Sequence, residues 1–255
     1  MMIILKSPHE VELMRQAGKI TAAARALAGR MVITGVTTLE IDTAVKSYIV
    51  SEGARPAFLG YNGFPNSVCI SVNEQVIHGI PGNRKLCDGD VVSVDVGAEK
   101  NGFVGDCAAT YIVGDGDAGS RRLVEVTRQS FFEGIKFAKV GFRISDISAA
   151  IQKHAEANGF SVVRAYVGHG IGSKMHEPPE VPNYVLVPRR GPDPRLLAGM
   201  TLAIEPMINA GGASIRVLAD GWTVVTSDGK NSAHYENTIL ITKGEPEILT
   251  THEAM

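Results

Sequence analysis

The stretch VSVDVGAEKNGFVGDCA, residues 92–108, constrains this chain more than any other. Two runs rich in Val, Phe and Ala, 91–99 and 103–113, flank Lys100-Asn101-Gly102 and read as the strands of a hairpin. Each strand carries an aspartate, Asp95 and Asp106. With Lys100-Asn101 as a two-residue loop the two aspartates are directly opposed; with Asn101-Gly102 as the loop they are diagonal neighbours. Both registers put them on one face, about 4.5–5.5 Å apart at Cβ if opposed and up to about 7–8 Å if diagonal. A three-residue loop would break that parity. Like charges facing each other across a hairpin destabilise it. The arrangement therefore calls for a shared proton, for a bound cation, or for one aspartate turned out to solvent. A cation would need further ligands elsewhere in the chain.

Such ligands are present. His169 lies in GHGIG, where the surrounding glycines let backbone approach closely and aim the imidazole. His176 follows in MHEPP. Glu205 is a charge inside the apolar run LAIEPM, which halts at proline, and Glu236 lies in AHYENTILI, where His234, Glu236 and Thr238 share a strand face. Four carboxylates and one imidazole suit two divalent ions of the Mn, Fe, Co or Zn kind rather than calcium. Paired ions about 3.5–4 Å apart activate water, so the set points to hydrolysis.

Around these residues the chain reads as α+β. Ser7-Pro8-His9-Glu10 opens a first helix, with Ser at the N-cap and Gly29 expected to end it. A second helix fits 38–52 with Gly53 at its C-terminus; further helices fit 120–139 and 145–158. Strands are expected around 161–167, 201–208, 222–226 and 234–242. Helix pair followed by strands occurs twice, and ELMRQA echoes EVTRQS. This duplication, set against chance likeness of amphipathic helices, predicts one catalytic domain over 1–255 with pseudo-symmetric halves of about 1–114 and 115–255. PRRGPDP, 188–194, reads as an exposed loop. A net charge of −2 gives no basic stripe for nucleic acid, and no apolar run reaches the roughly 18 residues of a membrane helix. The start, MMIILKSPHE, is charged too early for a signal peptide, and three cysteines without a CxxC pair argue against a disulfide framework. A cytoplasmic location is expected.

The assembled motifs, the two aspartates with GHGIG, IEPM and YEN in order, resemble those of the type I methionine aminopeptidases over essentially the whole chain. The resemblance implies the pita-bread fold, a curved antiparallel sheet backed by two helix pairs. It implies that Asp95, Asp106, His169, Glu205 and Glu236 hold two divalent ions with a water bridging them. It implies further that Glu205 accepts the water's proton, and that His78 and His176 contact the scissile amide and its carbonyl. Phe58, Tyr61, Phe64, Cys69, His78, Met175, His176 and Trp222 match the substrate pocket. The implied activity is removal of N-terminal methionine from nascent chains and peptides with a small second residue. The implied setting is a monomer that meets its substrates at the ribosome surface, without DNA or membrane.

Phe58 and Met175 stand where familiar members carry cysteine and phenylalanine, and the segment 185–194 is longer than usual. His234 replaces a common glutamine and either supports Glu236 or lies exposed. Two other readings are a proline-specific peptidase on the same fold and a metal-free relative that only binds. The first usually carries a large N-terminal domain; the second would have lost ligands that this chain keeps.

Overall fold

The computed structural model describes residues 2–185 and 191–251. The hairpin forms as expected: Val91–Lys100 pairs with Phe103–Ile112, from Lys100↔Phe103 through to Val91↔Ile112. Asn101 and Gly102 are the loop, both with positive φ (53° and 79°), which gives the backbone twist that matches the strands. Of the two registers this is the diagonal one. Asp95 faces Ala108 and Asp106 faces Gly97.

The period of two then divides the hairpin. Val92, Val94, Val96 and Ala98 point to a core formed with α1 (Pro8–Met31) and α2 (Thr38–Ser51), against Ala24, Ala28, Ile41, Val45 and Ile49. Asp95 and Gly97 point the other way. Both helices begin with a capping box, Ser7 with Glu10 and Thr37 with Glu40. α1 runs past Gly29 to Met31. Gly29 is a contact residue rather than a stop, since a Cβ there would lie 2.5 Å from the Tyr111 ring.

On the other side, α3 (Ala118–Ile135) and α4 (Ile144–Ala157) cover a five-stranded sheet in the order 247–248, 237–240, 201–204, 168–170, 177–181. Phe131, Ile147 and Ile151 bury Leu202, Ile204, Ile239 and Ile241. α3 ends four residues before the expected 139. Gly134 in its last turn sits against α4, where a Cβ would meet Ile151 at 2.7 Å.

The expected strands 201–208 and 234–242 are each broken in two. Thr201–Ile204 and Asn237–Leu240 pair in the five-stranded sheet, while Met207–Asn209 and Ser232–His234 pair in another. The breaks fall at Glu205-Pro206 and Tyr235-Glu236, where the chain passes from one sheet to the next and a ladder cannot continue. The expected strand 161–167 is only Ser161–Val162 long, and 222–226 begins at Val224. The exposed loop expected over 188–194 lies partly outside the described residues. Among the described residues no helix is long and apolar enough to cross a membrane.

Candidate metal centre and substrate pocket

The hairpin and the five-stranded sheet meet along a seam. Ala108 and Glu236 exchange backbone hydrogen bonds (3.2 and 2.9 Å). The Thr238 hydroxyl accepts from the Asp106 amide at 3.0 Å and lies 2.9 Å from its carbonyl, to which it donates. Thr110 binds the backbone of His234 on both sides. The seam therefore fixes Asp106 and Glu236 through their main chains, leaving the carboxylates free.

Opposite this seam, His169 pairs with Ala203, two residues before Glu205. Asn237 pairs with Ile204, so Glu236 and Glu205 leave their strands side by side. His169 Nε2 ends 3.5 Å from a Glu205 oxygen and 3.9 Å from Asp106 Oδ2, while its Nδ1 lies 2.9 Å from the Gly170 carbonyl. Donor atoms of Asp106, His169 and Glu236 all lie within 4.8 Å of one another, and so do those of Asp95, His234 and Glu236. Glu236 is common to both groups.

The electrostatics of this cluster call for cations. Burial raises the carboxyl groups of Asp106, Glu205 and Glu236 well above the usual range, with repulsion from neighbouring carboxylates adding to it, and raises Asp95 to about 7. Burial also holds the histidines neutral, lowering His78 to about 4 and both His169 and His234 to about 3. One oxygen each of Asp95, Asp106 and Glu236, and Nε2 of His234, are buried with no hydrogen-bond partner among the described residues. A protein rarely leaves such atoms unpartnered, and oxygen-rich donors with imidazole fit divalent transition ions. The residues present thus fit a metal centre.

A cavity of about 270 Å³ opens beside this cluster. Thirteen of the residues singled out in the sequence line it, Asp95, Asp106, His169, Glu205, Glu236, His78, His176, Phe58, Tyr61, Phe64, Cys69, Met175 and Trp222, while His234 does not. Gly97 makes room for its floor, because a Cβ there would lie 2.6 Å from the Phe58 ring and 2.9 Å from the Met175 methyl. Trp222 stands edge-on to Phe64. His78 adopts φ 58°, a conformation costly for a residue other than glycine, and is boxed by Tyr166 and Trp222. His176 stacks on Tyr61, whose hydroxyl lies 2.7 Å from its Nδ1.

Sequence reasoning missed Asn62, Ile77, Tyr166 and Val167. These carry no signature of their own, although Tyr166-Val167 directly precedes GHGIG. His234 is not exposed: it is 2 % accessible, with Nε2 3.7 Å from Glu236. Cys107 is buried, and that burial pushes its thiol up to about 12.

A family model, metallopeptidase family M24, matches residues 12–243. The chain belongs to that family. Within it, a methionine aminopeptidase of Clostridium perfringens is 54% identical over 249 residues, covering 98% of this chain and 99% of that one. One from Escherichia coli is 47% identical, covering 98% and 94%. The crystal structure of the Thermotoga maritima methionine aminopeptidase superposes with a TM-score of 0.95 at 45% identity, covering 98% of this chain and all of that one. A Pyrococcus furiosus prolidase superposes at 0.76 with 21% identity over 66% of its own length, a likeness of fold alone. The architecture is the pita-bread fold expected from the motifs.

Proposed function

We infer that this protein is a metal-dependent aminopeptidase that removes N-terminal methionine from peptides and nascent chains, with a small second residue preferred. The observation that carries the reading is the cluster of buried, unpartnered carboxylate oxygens opening onto an apolar slot. Asp95, Asp106, His169, Glu205 and Glu236 would hold two divalent ions. When bound, such ions acidify water and polarise a carbonyl; the donor set suits Co, Mn, Fe or Zn.

The chain's own residues supply the rest. Glu205, whose carboxylate stands in the cluster 3.5 Å from His169 Nε2, accepts the proton of the attacking water. His176, held neutral by burial, donates from Nε2 to the developing oxyanion when the Tyr61 hydroxyl donates to its Nδ1. His78, also neutral, hydrogen-bonds the scissile amide. Phe58, Phe64, Cys69, Met175 and Trp222 enclose the methionine side chain, and a flexible thioether packs well against aromatic rings. Residues 1–255 act as one catalytic domain in this reading, since the site draws on both sides of residue 114.

Metal-stripped protein is expected to cleave Met-Ala-Ser only after a divalent ion is restored, and to cleave Xaa-Pro dipeptides poorly. Equal turnover of Xaa-Pro would refute the specificity.

A further inference from the structure

His234 is unused in the reading above, although its surroundings are unusual. The ring is 2 % accessible and Nε2 has no hydrogen-bond partner among the described residues. That nitrogen lies 3.7 Å from Glu236 Oε2, too far for a hydrogen bond. Two donors that bind one ion at about 2.1 Å each stand about 3 Å apart at right angles and about 4.2 Å apart when opposite. The 3.7 Å separation falls inside that window, as do the 3.5 and 3.9 Å separations around His169. The backbone of His234 is also pinned, by Thr110 and by pairing with Met207, so the side chain is aimed by the sheet rather than by a loop.

The structure assigns His234 Nε2 as a sixth protein donor to the metal centre, acting with Asp95 and Glu236 on the ion that His169 does not reach. The centre then contains two groups that share Glu236, each with one imidazole: Asp106, His169 and Glu236, with Glu205 3.5 Å from His169 as a further donor, and Asp95, His234 and Glu236. A nitrogen donor in both groups favours Fe, Co or Zn over Mg or Ca at both positions. The sequence leaves this residue between supporting Glu236 and lying exposed, and does not make it a ligand. The assignment rests on the metallopeptidase reading.

Cobalt(II) titrated into metal-stripped full-length protein tests it. Calorimetry on the wild type is expected to show two bound ions, and His234→Leu is expected to keep one while weakening the other at least tenfold. Proton NMR of the cobalt-loaded wild type supplies a readout that needs no variant. A ligated imidazole gives a strongly shifted exchangeable N–H resonance; one such resonance is expected after the first equivalent and a second after the next. Two bound ions with a single shifted imidazole, or a His234→Leu variant with both affinities unchanged, would overturn the assignment and leave the metallopeptidase reading intact. Failure to bind cobalt at all would remove both.

Discussion

Replacing Lys6 by methionine isolates one buried interaction that ties the N-terminal segment to the strand following His176. Lys6 Nζ lies 2.6 Å from Glu177 Oε2, and both side chains are only 3% accessible. Glu177 Oε1 also accepts from the Lys174 amide at 3.2 Å, and Glu177 pairs with Gly170 beside His169 and directly follows His176. Methionine preserves the length of the apolar stem, so the loss is chiefly the charge. A carboxylate left buried without its partner costs about 3–5 kcal/mol, a large share of the roughly 5–15 kcal/mol that holds a folded domain together. Urea unfolding of metal-stripped protein is expected to show the midpoint falling by roughly 1–1.5 M with unchanged slope. Lys6→Met/Glu177→Gln removes both charges and is expected to be more stable than the sum of the single changes predicts. A Lys6→Met cost below about 1 kcal/mol, the range of exposed pairs, would mean that water reaches the pair, and the argument from burial would fall.

His176→Ala is expected to lower kcat about 10²–10³-fold while metal content by elemental analysis stays at the wild-type level; loss of metal would refute its placement as a substrate contact. Gly97→Ala pushes a methyl group at Phe58 and Met175, so kcat/KM for methionyl peptides should fall at least tenfold with metal retained. Without metal, pH dependence should have a definite sign. Between the ordinary carboxylate range and about 6.5, raised carboxyls and lowered histidines oppose each other. Above 6.5 the histidines are neutral folded and unfolded, and only the carboxyls still lose protons on unfolding. The melting temperature of stripped protein should therefore fall from pH 6.5 to 8.5 and recover on adding a divalent ion; a flat profile would mean the carboxyls are not held protonated.

The parts of the site that were legible in the sequence are those set by local periodicity. Alternation along the hairpin put Asp95 and Asp106 on one face, and capping residues marked where α1 and α2 begin. What escaped was decided by contacts between distant segments. Gly29 looks like a helix stop, yet it is retained inside α1 because Tyr111 leaves no room for a Cβ. Glu205 and Glu236 looked like charges within strands, but each lies where the chain changes sheets, which is how two carboxylates escape a ladder and reach the same point. Even the turn that made the hairpin readable is not what holds the aspartates. A positive-φ pair contributes preferences on the order of 1 kcal/mol. The ten cross-strand partners of the hairpin and the Thr238 and Glu236 contacts with Asp106 and Ala108 fix the same register from the far side. The turn therefore announces the site in the sequence, and the seam between the sheets enforces it. His234 sits on that seam, where sequence alone could not choose between support and exposure.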